Sequence, residues 1–294
     1  MVLDRSPFAK ALRAGQTVWT AGVYDALSAK VAESAGFAAV MTSGYAVSAS
    51  LLGEPDVEIY TMTENLSVVQ NVTAALKIPV IADSDTGYGN AINVMRTVRE
   101  FERAGVSAVI FEDQEVPKRC PCVASVIEIL PPEESAAKIR AAVHARQDPD
   151  LIIVARTDAQ TEEEAIARAR MYVEAGADLI QPISRCFKDF AGLKRLRQAC
   201  GRPLSLQLLG WLEADLSPQQ VEEVAGLAVH PLVGLFTAYK ALQANFAHLA
   251  QHHQTRQLPQ AVVSMDEFKH FIGFPEVEAL QTAFMTGRPP VAGA

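Results

Sequence analysis

The sequence repeats one short phrase, first as Ala35-Gly36-Phe37-Ala38-Ala39-Val40-Met41, then as Ala104-Gly105-Val106-Ser107-Ala108-Val109-Ile110, and then as Ala175-Gly176-Ala177-Asp178-Leu179-Ile180. A weaker copy is Ala225-Gly226-Leu227-Ala228-Val229. Each glycine follows an amphipathic stretch and precedes a short apolar run, which predicts a helix ending on a left-handed glycine, a tight loop and a buried strand. The first three glycines lie about 70 residues apart, which is two βα units of about 35 residues each. The last interval is shorter and predicts an abbreviated helix or loop.

Eight apolar segments fit the strands of this repeat: Val18–Ala21, Ala38–Thr42, Val80–Ala82, Ser107–Phe111, Leu151–Ala155, Asp178–Gln181, Leu204–Gln207 and Ala228–His230. Amphipathic helical patterns alternate with them, as over residues 91–104 and 162–175. The alternation favours a (β/α)8 TIM barrel. A doubly wound open sheet is the competing topology, and no Gly-x-Gly-x-x-Gly follows the first strand to support it.

The pattern changes towards the end of the chain. We expect a barrel over residues 1–250 and a helical tail over 251–294, with two final helices at 265–272 and 275–285. These helices either cover the bottom of the barrel or pack on a partner subunit.

Composition restricts the classes of partner. The chain has 294 residues and a formal net charge of −8, and an acidic surface is unsuited to nucleic acid or to anionic membranes. It contains no apolar run of 18 residues and no signal-peptide pattern at its start. Its four cysteines make no disulfide framework. We therefore expect a cytoplasmic protein whose ligand is a small molecule.

Unusual polar residues follow the predicted strands, and the carboxyl ends of the strands are where active sites of such barrels lie. Asp83 and Asp85 follow the third strand, on the same side of an extended backbone, and Glu112 follows the neighbouring fourth strand. Three converging carboxylates repel each other unless a cation lies among them, and oxygen ligands favour Mg²⁺ or Mn²⁺. One or two of them could instead cap helices.

Other strand ends carry candidate ligand-binding groups. Ser43 and Gly44 could offer a hydroxyl and backbone N–H groups to a carboxylate. Arg156 ends a buried strand and needs an anionic partner, which could be a nearby carboxylate or a substrate carboxylate. Lys118, Arg119 and Cys120 lie in a long segment after the fourth strand, and the two cations favour a thiolate at Cys120 that could act as acid or base.

These residues resemble a known family. The run Asp83-Ser84-Asp85-Thr86-Gly87-Tyr88-Gly89-Asn90, followed by Glu112-Asp113-Gln114 and Pro117-Lys118-Arg119-Cys120, is similar to the isocitrate lyase and phosphoenolpyruvate mutase superfamily. The resemblance runs from about residue 8 to 245 and is strongest to the 2-methylisocitrate lyase branch. It implies a (β/α)8 barrel, a dimer or tetramer with a helix swapped between subunits, and Mg²⁺ bound with 2-oxo acids or their enolates.

The resemblance also assigns roles to residues. It implies that Ser43, Gly44, Tyr45, Asp83 and Gln207 contact the substrate, and that Asp83, Asp85 and Glu112 hold Mg²⁺. Asp56 is implied at the edge of the site, Arg156 in contact with substrate, and residues 118–122 as a gating loop. In the lyase branch a cysteine at the position of Cys120 protonates the enolate released by cleavage, and Lys118 stands beside it.

The sequence departs from the lyases at two places. Pro121 and Cys122 replace the Gly-His that follows the loop cysteine, and Ile183 follows Pro182 where the lyases carry glutamate. The leading hypothesis is a Mg²⁺-dependent carbon–carbon lyase that cleaves or forms a small 2-hydroxy or 2-oxo di- or tricarboxylate through a pyruvate-type enolate. The alternatives are an oxaloacetate decarboxylase, a phosphonopyruvate-type mutase or hydrolase, and a non-catalytic oxo-acid-binding protein.

Overall fold

The structure is a computed structural model that describes residues 3–121 and 123–285. Two compact units make up the chain, Met1–Phe236 and Thr237–Ala294. The first unit is built on a closed barrel of eight parallel strands in the order β1 to β8. The strands are β1 Val18–Val23, β2 Ala39–Thr42, β3 Val80–Asp83, β4 Ala108–Glu112, β5 Ile152–Thr157, β6 Leu179–Pro182, β7 Leu204–Gln207 and β8 Ala225–His230. The predicted (β/α)8 barrel is therefore confirmed.

One helix precedes β1, and the others follow strands in chain order. They are α1 Ser6–Arg13, α2 Ala26–Ser34, α3 Gly44–Leu51, α4 Met62–Ala75, α5 Ala91–Arg103, α6 Pro132–Ala145, α7 Glu162–Glu174, α8 Phe190–Cys200, α9 Trp211–Ala214, α10 Pro218–Val224, α11 Val233–His252, α12 Met265–Ile272 and α13 Phe274–Phe284. A short 3₁₀ helix, Ser184–Cys186, follows β6. The shortened segment expected before the last strand is present as the brief helices α9 and α10.

Two apolar layers hold the first unit together. One layer fills the interior of the barrel with side chains such as Met41, Ile110 and Val154, and Phe8 and Leu12 of α1 belong to the same cluster. The other layer packs the outer faces of the strands against the helices. Because both faces of the sheet are buried, the strands read as nearly continuous apolar runs in the sequence.

The repeated glycine phrase was interpreted correctly at three of its four positions. Gly36, Gly105 and Gly176 have φ values of 94°, 93° and 103°, which close the preceding helices in the left-handed region. The prediction was wrong at Gly226, which lies inside β8. A Cβ at Gly226 would lie 2.9 Å from the ring of Pro203, so this glycine serves close packing between neighbouring segments.

The second unit contains most of α11 together with α12 and α13. The bounds of α12 agree with the predicted helix, and α13 begins one residue earlier than predicted. Residues 286–294 of the predicted tail lie outside the described part of the chain. In the described residues, no helix is both long enough and apolar enough to cross a membrane.

Candidate active site

Three carboxylates meet at the carboxyl-terminal mouth of the barrel. Asp83 ends β3, Asp85 stands two residues further on, and Glu112 ends β4. Oxygens from the three side chains all lie within 4.8 Å of one another. Burial raises the pKa of Asp83 to about 7 and also raises the pKa of Glu112, and neighbouring carboxylates act in the same direction. A cation placed among these oxygens is therefore stabilising.

The loop after β3 is held in a fixed shape around this cluster. Asp85 and Tyr88 have φ values of 49° and 61°, a region that few side chains other than aspartate and asparagine adopt readily. The N–H of Glu112 donates to the carbonyl of Asp85 at 2.8 Å. Asn65 of α4 donates to the carbonyl of Asp83 at 2.9 Å and to the hydroxyl of Tyr88 at 2.7 Å. These bonds fix the direction in which both aspartate side chains point.

Lys118 reaches into the carboxylate cluster. Its Nζ lies 2.5 Å from Asp85 Oδ1, 3.0 Å from Asp56 Oδ1 and 3.3 Å from Glu112 Oε1. Burial opposes the ammonium form, but Asp85, Glu112 and Asp56 together raise the pKa of Lys118 well above its usual range. Lys118 is thus a buried, charged group that offsets part of the negative charge of the site.

Arg156 of β5 has the carboxylate partners that the sequence left open. It donates to Glu112 Oε1 at 2.6 Å and to Asp158 Oδ1 at 2.9 Å. Its Nε is buried with no acceptor among the described residues, and the side chain also lines the cavity at the barrel mouth. Arg156 can therefore anchor Glu112 and contact a substrate at the same time.

The start of α3 borders the cluster on another side. Ser43 is the N-cap of the helix, and the N–H of Gly44 donates to Asp83 Oδ2 at 3.2 Å. A Cβ on Gly44 would lie 2.9 Å from the hydroxyl of Tyr60 and 3.0 Å from Asp83 Oδ2, so only glycine allows this approach. Ser43 and Tyr45 line the cavity, and the helix N-terminus favours an anion there.

The loop after β4, described at residues 115–121 and 123–130, contains the segment that the resemblance implies as a gating loop (118–122) and is called the gating loop below; its Cys120 and Pro121 line the cavity. Cys120 is buried and lines the cavity. The Nε of Arg119 lies 2.7 Å from Glu128, which ties the two sides of the loop together. Cys122 lies outside the described residues. The loop therefore brings a thiol to the same cavity as Ser43, Tyr45 and the other residues predicted to bind the substrate.

A cavity of about 360 Å³ joins most of these groups. The predicted site residues that line it are Ser43, Tyr45, Asp56, Asp83, Cys120, Arg156 and Gln207. The remaining predicted residues, Gly44, Asp85, Glu112 and Lys118, lie against the carboxylates that border it. The structure thus brings every predicted site residue to one place.

Sequence reasoning missed Glu58, which lies between two loops of the site. Its carboxylate accepts from the hydroxyl of Thr86 at 2.6 Å and from the backbone N–H of Lys118 at 3.3 Å. Burial raises the pKa of Glu58. Nothing in the local sequence signals this contact, because it depends on where the gating loop folds back.

Gln114 belongs to the run that resembles the family, and the structure shows which groups it contacts. Its Nε2 donates to Glu112 Oε2 at 3.1 Å, and its Oε1 accepts from the N–H of Arg119 at 2.8 Å. The amide therefore connects a carboxylate of the cluster to the gating loop. The signal was the spacing of two residues from Glu112, which places both side chains on one side of an extended chain.

The carboxylate cluster fits a hard divalent cation. It offers three carboxylate oxygens and no nitrogen or sulfur ligand, which is the donor set that Mg²⁺ and Mn²⁺ prefer. The ammonium of Lys118 already shows that the same oxygens attract positive charge. Asp83, Asp85 and Glu112 are therefore the residues that could hold the metal.

Comparison with known proteins agrees with this fold. The chain belongs to the phosphoenolpyruvate phosphomutase family, whose model matches residues 8–251. It is 38% identical over 272 residues to 2,3-dimethylmalate lyase of Eubacterium barkeri, covering 91% of this chain and 93% of that protein. It is 36% identical over 275 residues to an oxaloacetate decarboxylase of Pseudomonas putida, covering 92% of each.

A solved structure gives the same result. The crystal structure of a 2,3-dimethylmalate lyase, described as a member of the PEP mutase/isocitrate lyase superfamily, matches with a TM-score of 0.87 and 29% identity. The match covers 98% of this chain and 99% of that one. The predicted membership of this superfamily, and the prediction that the chain is an enzyme of the lyase class found there, are confirmed.

Proposed function

We propose that this protein is a Mg²⁺-dependent carbon–carbon lyase that cleaves a small 2-hydroxy acid into a 2-oxo acid and a second carboxylic acid. The observation that carries the proposal is the placement of Cys120 on the same cavity as Asp83. That arrangement brings a thiol that can donate a proton and a carboxylate cluster that can hold a metal to one cavity.

The 2-hydroxy acid end of the substrate fits the α3 side of the cavity. Its carboxylate lies against the N-terminus of α3, where Ser43 and the backbone N–H groups of the first turn favour an anion. Arg156 lines the same cavity, and its Nε, which has no acceptor among the described residues, offers a further hydrogen-bond donor. The substrate is thereby held with its hydroxyl towards Asp83 and its remaining carbon atoms towards the rest of the cavity.

Asp83, Asp85 and Glu112 would hold a divalent ion, which would supply positive charge to stabilise the negative charge that develops on the substrate. The protein provides the proton transfers. The hydroxyl proton leaves to a carboxylate, for which Asp56 is suited because it lines the cavity beside Lys118. The oxygen–hydrogen electron pair forms the carbonyl, and the C2–C3 bond breaks.

The electron pair of the broken bond passes to C3 and is delocalised into the carboxylate of the leaving acid. Cys120 then donates its thiol proton to C3, which completes the leaving acid. The proton lost from the hydroxyl balances the one given by the thiol. For a 2-hydroxy acid the enolate therefore forms on the leaving acid, which corrects the pyruvate-type enolate expected from the sequence, whereas decarboxylation of oxaloacetate would form it on pyruvate.

Oxaloacetate decarboxylation is the second candidate, because Ile183 stands where lyases carry a glutamate and the relative from Pseudomonas putida is a decarboxylase. A mutase or hydrolase of phosphonopyruvate is less favoured, since Arg119-Cys120 replaces the Asn-Ser of the phosphonate-forming mutases. A non-catalytic oxo-acid-binding protein would retain the cluster without turnover.

A substrate panel separates these functions. The purified protein is incubated with Mg²⁺ and either 2,3-dimethylmalate, 2-methylisocitrate, isocitrate, oxaloacetate or phosphonopyruvate, and pyruvate, glyoxylate, phosphate and carbon dioxide are measured. We expect pyruvate or glyoxylate to form from at least one of the three 2-hydroxy acids. If oxaloacetate is the one substrate of the panel that reacts, with release of carbon dioxide, the lyase proposal is contradicted. A higher melting temperature with Mg²⁺ and oxalate, but no turnover of any substrate, would favour a binding protein.

We also propose that the protein is a homo-oligomer in which the C-terminal helices pack on a second copy. Within the second unit, Phe246, Leu280 and Phe284 are large apolar side chains that are exposed in the single chain. Light scattering after gel filtration is expected to give a dimer or tetramer. A monomer at micromolar concentration would contradict this.

A further inference from the structure

Arg185 joins the segment after β6 to the gating loop, and the proposed mechanism gives it no role. Its Nη1 donates to the carbonyl of Ala124 at 2.7 Å and to the carbonyl of Pro121 at 3.3 Å, which lie 61 and 64 residues earlier in the sequence. Hydrogen bonds from a guanidinium are charge-assisted and stronger than those between neutral groups. This contact can therefore hold the two parts of the chain together.

The backbone that carries Arg185 is attached to the barrel. It belongs to the short 3₁₀ helix that follows β6. The N–H of Ile183 donates to the carbonyl of Thr157 at 3.0 Å, and the buried thiol of Cys186 donates to the carbonyl of Ala159. Residues on both sides of the arginine are thus bonded to β5 or to the segment that follows it. Arg185 reaches the gating loop from a fixed support.

The two carbonyls that Arg185 binds follow Cys120 in the chain. The N–H groups of Ala124 and Val123 donate to the carbonyl of Cys120 at 2.9 Å and 3.1 Å, which closes a turn on the cysteine. Cys120, Pro121 and Arg185 all line the cavity at the barrel mouth. The arginine therefore fixes the backbone on the carboxyl-terminal side of the residue that carries the thiol.

The residues before Cys120 are held by different groups. The N–H of Arg119 donates to Oε1 of Gln114 at 2.8 Å, and the ammonium of Lys118 is bound within the carboxylate cluster. Neither contact involves Arg185. Loss of the Arg185 side chain should therefore release the chain after Cys120 and leave the chain before it in place.

From these contacts we infer that Arg185 is a positioning residue for the proton transfer proposed for Cys120, because it keeps the thiol at the cavity by holding the loop carbonyls that follow it. The inference rests on the proposed lyase function. Arg185 acts through Cys120 and needs no contact with the substrate. Since the Cys120 side chain is only 8% exposed in the bound loop, release of the loop should open the thiol to solvent.

The first measurement is the rate at which iodoacetamide alkylates Cys120, with tandem mass spectrometry to distinguish it from Cys122. Arg185→Met removes the donors, and the rate should rise about tenfold, the effect of one hydrogen bond to a charged group on an equilibrium constant. Arg185→Lys keeps a charged donor and should restore part of the protection. Arg170→Met is the control, because Arg170 is an exposed arginine that donates to the carbonyl of Ala199 at 3.4 Å, away from the loop.

The second measurement is steady-state cleavage of a 2-hydroxy acid from the substrate panel. In Arg185→Met, kcat should fall by about 10- to 100-fold, because a small displacement of a reacting group has effects of this size. The affinity for oxalate in the presence of Mg²⁺, measured by calorimetry, should stay near that of the unmodified protein. In a Cys120→Ser background, Arg185→Met should lower kcat no further, since the arginine acts through the thiol.

The outcomes separate this inference from the lyase proposal. Faster alkylation of Cys120 and a lower kcat in Arg185→Met, both partly reversed in Arg185→Lys, support the inference. An unchanged alkylation rate, or a kcat that is unchanged or falls equally in the Cys120→Ser background, overturns the inference and leaves the lyase function standing. If the unmodified protein cleaves none of the 2-hydroxy acids, the lyase proposal and the positioning role both fail.

Discussion

The ammonium nitrogen of Lys118 lies 2.5 Å from Oδ1 of Asp85, although one belongs to the gating loop and the other to the loop after β3. Asp56 and Glu112 share the same ammonium. The position of the gating loop and the charge of the carboxylate cluster are therefore linked through one ion-pair network. Glu58 strengthens this link, because its carboxylate accepts a hydrogen bond from the backbone N–H of Lys118.

Removing Lys118 should make the protein depend on a metal ion for stability. In Lys118→Met the carboxylates lose a buried partner, which typically costs about 3–5 kcal/mol. We expect a lower melting temperature without metal and a larger rise on adding Mg²⁺ than in the unmodified protein. Lys10→Met, on the exposed side of α1, is the control. An equal Mg²⁺ response in all three proteins would show that ammonium and metal do not share these carboxylates.

Asp85 should be essential for metal binding. Asp85→Asn keeps the size of the side chain but removes one charged ligand, so turnover should fall by at least a hundredfold and the Mg²⁺-dependent rise in melting temperature should be lost. Asp215→Asn changes an exposed carboxylate at the end of α9 and should retain both properties. Activity of Asp85→Asn that persists in EDTA would refute the metal role of this residue.

Cys120 should act in proton transfer and contribute little to binding. Cys120→Ser replaces the thiol by a much weaker acid, and we expect cleavage to fall by a factor of about 10² to 10⁴ while oxalate binding remains near normal. Cys200→Ser alters a buried thiol at the end of α8 and should have little effect on cleavage. Unchanged cleavage in Cys120→Ser would favour a reaction that needs no loop acid.

Lys138 of α6 is predicted to reduce stability near neutral pH. Its Nζ is buried with no acceptor among the described residues, and burial lowers its pKa against the opposing effect of Glu58, Glu134, Asp113 and Glu112. Lys138→Met should raise the free energy of unfolding at pH 7 by about 1–3 kcal/mol.

The sign of the pH dependence follows from proton binding. The unfolded chain keeps the Lys138 proton to higher pH than the folded protein does, so the stability of the unmodified protein rises as pH increases towards 10.5. The advantage of Lys138→Met should therefore shrink in urea titrations as the pH rises from 7 towards 10.5. An advantage that grows with pH would mean that the folded protein stabilises the ammonium.

The barrel and the carboxylate cluster could be predicted because both follow from local pattern. Asp83 and Glu112 each end a strand, and parallel strands bring their carboxyl ends to one edge whatever the loops do. Gly226 shows the limit of that approach, because a glycine can serve a helix end or close packing of a strand, and the sequence around it fits both.

The contacts made by loops could not be predicted in the same way. Glu58 and Arg185 reach the gating loop only because of the path that the loop takes in three dimensions. The loop residue that Glu58 contacts lies 60 residues after it in the sequence, and the two that Arg185 contacts lie 61 and 64 residues before it. No periodicity connects positions so far apart. The partners of Arg156 could not be predicted for a related reason. Its pairing with Glu112 depends on the register of β4 and β5, which the sequence does not reveal.

Cleavage of 2,3-dimethylmalate in D₂O, followed by NMR with and without EDTA, tests the central claim most directly. If Cys120 protonates the leaving acid, the propionate formed will carry one deuterium at C2, the pyruvate methyl group will not gain one in the cleavage step, and EDTA will stop the reaction. Cleavage that continues in EDTA, or propionate without deuterium, would contradict a metal-dependent lyase in which the gating-loop thiol completes the reaction.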